Sequence, residues 1–230
     1  MQYLKTWILI SSGLLFGSQT FALEPERPTS MTFSYVEHPA MVNFVMPLIR
    51  DAYQTLGIKT EFIAQPSNRN LLLVDKNVVD GDIGYMRIVL EGYPNIISIE
   101  PPLVSGIYTL LCQAQIPCHA EVFADPNQTI VTTSISKNGL KKGYHKAIHS
   151  QFYVVNDLAM IPKFISSGRF GYAIYPSTAA ELKLLDPVKL QYVQLFEANL
   201  YHVLHKKHRF IAKDISAALQ LALDKRKNPE

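Results

Sequence analysis

The sequence predicts an α/β fold in two lobes. Three observations carry that expectation. After an apolar leader, strand and helix patterns alternate through the first hundred residues, and the same alternation repeats through the second stretch. No low-complexity tether lies between the two stretches, so the lobes should meet at extended segments, with candidate crossings at 107–112 and 197–202. The 230 residues are 48% hydrophobic and 18% charged, enough apolar material for packed cores without a metal staple.

The leader comprises Lys5, an apolar run over 7–16, and Thr20 and Ala22 in a small-x-small arrangement. That is the pattern of a cleavable export signal over 1–22, with the mature chain starting near Leu23. The run is short of the roughly 20 residues that cross about 30 Å of hydrocarbon. No cysteine closes the run, so a lipid anchor is not indicated, and no membrane insertion is expected after cleavage. Net charge is +3, spread along the chain, which is a solvated surface and not a nucleic-acid footprint.

The elements follow in order. Residues 32–35 read as a strand. Asn43 is a candidate cap for a helix whose apolar positions Val45, Leu48, Ile49, Ala52, Tyr53 and Leu56 recur at helical spacing until Gly57. Pro47 then belongs in the first turn. Residues 59–64 form a second strand, 68–76 a helix, 83–86 a third strand after the Asp80-Gly81 turn, and 96–99 a fourth. The second stretch gives strands at 129–133, 152–155, 170–175, 189–196 and 200–206. Helices fall at 137–148, 158–167, 177–185 and from Ile211 onward, where Lys225, Arg226 and Lys227 suit the carboxyl end of the last helix. Asn156 or Asp157 caps the helix over 158–167.

Cys112 and Cys118, six residues apart in an exported chain, are expected to form one local disulfide. A metal reading fails for want of ligands: His119 is adjacent, but no fourth ligand is evident, and His205 and His208 lie in a basic turn without carboxylates. Neither a nucleophile elbow, a zinc-protease helix nor a phosphate-binding loop is present, so no enzyme is expected.

Four segments resemble the bacterial family 3 extracellular solute-binding proteins, the amino-acid type with the type 2 periplasmic fold. They are Phe33-Ser34-Tyr35-Val36-Glu37-His38-Pro39 with its following helix, Pro66-Ser67-Asn68-Arg69-Asn70-Leu71-Leu72, Pro101-Pro102-Leu103, and Ser167-Gly168-Arg169-Phe170-Gly171-Tyr172. The resemblance spans nearly the whole mature chain. It implies lobe 1 over 23–107 plus 197–230, lobe 2 over 108–196, parallel-rich sheets flanked by helices, and two hinge crossings. It also implies a periplasmic location, a small polar or anionic ligand between the lobes, a permease or sensor as partner, a monomer and no cofactor.

Candidate ligand residues sit at strand ends, where open α/β sheets bind. Arg87 offers a fork for a carboxylate, the alternative being an ion pair with Asp82 or Glu91. The family's arginine usually sits in a threonine-x-x-arginine context, which Tyr85-Met86-Arg87 meets only in part. Tyr35 and Tyr85 are candidate aromatic walls; Glu37 and His38 lie on the first strand-to-helix loop; Arg69 lies at a helix start. In the second lobe Thr133, Ser134 and Ser136 could hold an anion or simply cap a helix. Asp157 and Tyr175 complete the set, because the family's aspartate for a ligand amine has no clear match and Tyr175 and Ser177 stand in its place. The second functional reading is a dehydratase of the same fold acting on a prephenate-like acid, for which Glu37 is the candidate acid.

Overall fold

The structure, a computed structural model, describes residues 26–227. The expected leader, its cleavage site and residues 228–230 lie outside the described residues. The chain builds two five-stranded sheets. The first contains β1 (Ser30–Tyr35), β2 (Lys59–Ala64), β3 (Gly81–Met86), β4 (Ile96–Val104) and β10 (Leu200–His205) in the order β2-β1-β3-β10-β4. The second contains β5 (Gly106–Gln113), β6 (Thr129–Thr133), β7 (Gln151–Val155), β8 (Tyr172–Thr178) and β9 (Leu190–Glu197) in the order β7-β6-β8-β5-β9. In each sheet three successive strands pair in parallel, and a fourth strand, β10 in the first sheet and β5 in the second, pairs antiparallel beside them.

Helices α1 (Met46–Thr55) and α6 (Ala212–Lys227) cover one face of the first sheet. Their buried residues are Leu48, Ile49, Ala52 and Tyr53 on one, and Ile215, Ala218, Leu219, Ala222 and Leu223 on the other. Both sets keep the three-and-four spacing that makes one apolar stripe. Helix α2 (Ser67–Asp75) follows β2, α3 (Ser134–Gly143) follows β6, α4 (Ile161–Ser166) follows β7 and the short α5 (Ala179–Leu182) follows β8.

Several local expectations are corrected. Asn43 is not a cap: the helix already starts at Pro39, and Asn43 lies inside a π-helical turn over Met41–Val45. Met46 N–H donates to the Met41 carbonyl five residues back. The wider turn directly precedes Pro47, which has no N–H and crowds the carbonyl four residues earlier. Helix α3 begins at Ser134, not 137, because Thr133 Oγ1 accepts the Ser136 N–H at 3.2 Å. It stops at Gly143, where a Cβ would meet the Phe196 ring at 2.5 Å. Strand β8 runs on to Thr178, leaving a single turn of helix after it.

The chain passes between the sheets at Ser105 and again at residues 198–199. The first crossing thus precedes 107–112, which lies inside β5 with every residue buried. Gly106 sets that point. A Cβ there would stand 2.4 Å from the Ala198 carbonyl and 2.9 Å from Leu200 and Met86, so only glycine admits the neighbouring strand.

A buried polar chain fixes β10 against β3. His202 Nδ1–H donates to the Asp82 carbonyl at 2.9 Å, and Tyr53 Oη–H donates to His202 Nε2 at 2.7 Å. Burial holds the imidazole neutral, with its pKa lowered to about 3. The Asp82 carboxylate accepts from Ser34 Oγ (2.7 Å), Asn70 Nδ2 (2.9 Å) and Gly84 N–H (3.0 Å). Burial nonetheless raises its pKa to about 7. Just before the strand, burial pushes the Asp80 carboxyl up, but His208, the Thr32 N–H and Lys207 outweigh it and hold the group well below its usual range.

Candidate ligand-binding cleft

The carboxyl ends of β1 and β3 face the carboxyl ends of β6 and β8, and a cavity of about 100 Å³ lies between them. The first sheet's side supplies Val36, His38, Ala40, Met41, Gly84, Tyr85, Met86, Val89 and Leu200; the second supplies Tyr108, Thr133, Ile135, Ser136, Leu158, Pro176, Ser177, Thr178 and Glu181. Gly84 keeps the floor flat, since a Cβ would touch Met41 at 3.3 Å. An outer mouth of about 300 Å³ joins this cavity, formed by Val36, Glu37, Ala64, Gln65 and Pro66 against Asn156, Asp157 and Leu158. Val36 and Leu158 line both spaces and stand between them.

The lobes are closed on each other. His38 Nε2 lies 3.1 Å from Tyr175 Oη, across the gap. The Ala40 N–H donates to Glu181 Oε1 at 3.2 Å, and His38 Nδ1 is 3.2 Å from the same oxygen. Burial lowers the His38 pKa, with the nearby Glu181 carboxylate opposing. Burial, and then Glu181, push the Tyr175 phenol above its usual value. Glu181 Oε2 accepts from Ser177 Oγ (3.0 Å), Thr178 N–H (3.1 Å) and Thr178 Oγ1 (3.2 Å), completing a capping box at α5. On the other flank Lys142 Nζ of α3 pairs with Glu91 Oε2 at 3.0 Å. Between these contacts one apolar cluster runs across the gap, joining Met86 and Leu200 to Tyr108, Leu110 and Leu140. Within the second lobe Gly139 lets α3 close over Tyr108, since a Cβ there would sit 1.8 Å from the Tyr108 hydroxyl.

The structure sorts the sequence candidates into three groups. His38, Tyr85 and Thr133 line the inner cavity. Glu37 and Asp157 line the mouth, where Asp157 also caps the following turn through Ala159 N–H at 2.9 Å. Tyr175 stands behind the cavity wall, holding His38. The others do not converge there. Arg87 is exposed and outside the lining; its guanidinium pairs with Glu100, donates to Ser98 Oγ at 3.2 Å and lies 4.0 Å over the Tyr201 ring. Arg69 sits on the exposed face of α2, beside a separate groove with Glu61 and Leu73. Tyr35 packs on the first core, and Ser134 is replaced in the lining by Ser136. Sequence reasoning missed Glu181, Tyr108 and the apolar residues Met86, Val89, Ile135 and Leu158. For Glu181 a signal existed: Thr178-x-x-Glu181 after a strand is a capping-box pattern, and it places a carboxylate at a strand end. Cys112 and Cys118 are disulfide-bonded, as expected, which pins the loop after β5. Among the described residues no cluster of three or more histidine, cysteine or carboxylate groups could hold a metal ion.

No model of a known protein family matches the sequence, and no curated protein matches it. Solved structures do. The ligand-binding core of GluR0 from Nostoc punctiforme, in complex with L-glutamate, superimposes with a TM-score of 0.68 at 16% identity, covering 86% of this chain and 93% of that one. The chain has the two-lobed type 2 periplasmic-binding-protein fold. Truncated, arginine-bound ArgBP from T. maritima gives a TM-score of 0.67 at 10% identity over 84% of this chain and 96% of that one. A histidine kinase sensor domain with similarity to periplasmic binding proteins gives 0.68 at 13% identity, with 87% and 93% covered. At these identities the likeness fixes the architecture and leaves the ligand to the chemistry of the cleft.

Proposed function

We propose that this chain is an exported solute-binding protein that captures a small molecule between its lobes and performs no chemistry on it. The observation that carries this reading is the cavity itself: it is lined from both sheets, and among the described residues the chain passes between the sheets at two adjacent crossings. Such an arrangement can open and close as a hinge, and a ligand that contacts both lobes favours the closed state. The moving bodies are taken to be 23–107 with 197–230, and 108–196. The partner is a membrane permease or a sensor protein, and solved structures of the same fold include both a binding protein and a sensor domain. Export rests on the leader pattern; among the described residues no helix is long and apolar enough to cross a membrane.

The dehydratase reading draws less support. Its candidate acid, Glu37, is exposed at the mouth, and the carboxylate at the inner cavity, Glu181, is engaged by capping and interlobe contacts.

The test is thermal unfolding of the chain from Leu23 onward against amino acids, organic acids, small peptides, sugars, polyamines and neutral aromatics. A ligand at a hundred times its Kd adds about 2.7 kcal/mol. A saturable upward shift supports the reading; no shift with any class removes it.

A further inference from the structure

We infer that the inner cavity selects an uncharged, predominantly apolar molecule, and rejects amino acids and organic acids. This deepens the binding-protein reading and rests on it. The expectation of an anionic ligand depended on Arg87, whose guanidinium is spent on Glu100, Ser98 and Tyr201 outside the cavity. Among the described residues no arginine or lysine lines either the inner cavity or the mouth. A ligand carboxylate would therefore enter past Glu37 and Asp157 and come to rest without a counter-charge. Burying an unpaired charge is far more costly than burying an apolar group, so this arrangement selects against anions.

A ligand ammonium fares no better inside. The one carboxylate there, Glu181, already receives the Ala40 and Thr178 N–H groups and the Ser177 and Thr178 hydroxyls. What remains is an apolar surface made by Met41, Met86, Val89, Ile135, Leu158 and the tyrosine rings. The closed cavity, about 100 Å³, approaches the roughly 150 Å³ of dry apolar space that accepts benzene. Slight opening of the hinge admits one aromatic ring or a branched alkyl body. Ser136 Oγ, at the start of α3, offers one hydroxyl to orient a neutral polar atom.

The experiment keeps the apolar body constant and varies the charge. Its probes are indole, indole-3-acetate and L-tryptophan, titrated into the chain from Leu23 onward, which contains every described element. The only tryptophan is Trp7, in the leader, so excitation at the red edge of indole absorption reports the probe alone. Indole is expected to bind saturably, at least tenfold more tightly than either charged analogue. Val36→Arg, at a half-buried position between cavity and mouth, is expected to weaken indole at least tenfold while leaving the melting temperature nearly unchanged, because the long side chain can reach solvent. Leu158→Arg repeats the test from the opposite lobe should the first variant fold poorly. Indole-3-acetate or L-tryptophan binding as tightly as indole overturns the inference while leaving the binding-protein reading intact. Absence of indole binding overturns it as well; only if the wider panel is also silent does the binding-protein reading fall with it.

Discussion

The Ala198 N–H donates to the Gly106 carbonyl at 2.8 Å, tying together the two places where the chain passes between sheets. The same approach brings the Ala198 carbonyl to where a Gly106 side chain would begin. Gly106→Ala is therefore expected to overpack the crossing and lower stability by about 1–3 kcal/mol. Urea denaturation of the variant checks this; an unchanged midpoint would show that the strands can separate without loss.

His38 bridges the lobes, and its removal should open them. His38→Ala deprives the buried Tyr175 hydroxyl of its partner, a loss of about 1–3 kcal/mol if the group stays buried. Opening relieves that loss, so the expected result is a larger radius of gyration in solution scattering. Because closure lowers the His38 pKa, the closed state prefers neutral imidazole. Acidification through about 6.5, the ordinary histidine value, should weaken closure in the native chain and leave His38→Ala unaffected. Identical scattering profiles for the two proteins across that pH range would dismiss the bridge.

Asp82 should make stability fall as pH rises. Its folded pKa is raised to about 7 from an ordinary 3.8. Between those values the folded state holds a proton that the unfolded state releases, so stability declines from about pH 4 to pH 7 and is level above. The decline is of the order of a few kcal/mol, at about 1.4 kcal/mol for each tenfold change in proton affinity. Asp82→Asn should lack it, and the site can accommodate the amide: Asn70 Oδ1 is buried without a partner and can accept an N–H after a flip of its own amide. His202, held neutral, works in the opposite sense, losing stability as pH falls below about 6.5. The informative quantity is thus the difference between Asp82→Asn and the native chain. A difference that does not change with pH contradicts the assignment.

Arg87→Ala should matter little. Its exposed ion pair and its place over Tyr201 are each worth at most about 1 kcal/mol. Ligand affinity should not change, whatever the ligand. A tenfold weaker ligand in this variant would return Arg87 to the site.

Replacing both Cys112 and Cys118 by alanine should lower stability by about 2 kcal/mol, the chain-entropy value for so short a loop. Calorimetry of the oxidised native chain against the double variant measures it. Reducing agent should destabilise the native chain alone.

The fold was legible because its signals are periodic. Leu48, Ile49, Ala52 and Tyr53, and later Ile215, Ala218, Leu219, Ala222 and Leu223, announce their helices by spacing, and β2 and β6 match their expected bounds. Boundaries failed where tertiary contacts decide them. The limits of α3 follow from a hydroxyl at Thr133 and a ring at Phe196, neither of which is a matter of period. The site was less legible still. Arg87 follows a strand, as a cleft residue would, but its side chain turns to Glu100, a partner 13 residues away on β4. Met86 reads as the end of an ordinary strand and Tyr108 as part of an expected crossing, and only the approach of the lobes makes them a cavity wall.

The position of β10 also governs the order in which the molecule can be assembled. It lies between β3 and β4, more than ninety residues after both. The second sheet draws all of its strands from one uninterrupted stretch, Gly106 to Glu197. On a chain emerging from its amino end, that inner lobe can finish while the outer one still lacks the strand that joins β3 to β4. The lobe that is written first is the last to be completed, and until residue 205 appears it carries two unpaired strand edges, the kind of surface that invites pairing with another chain.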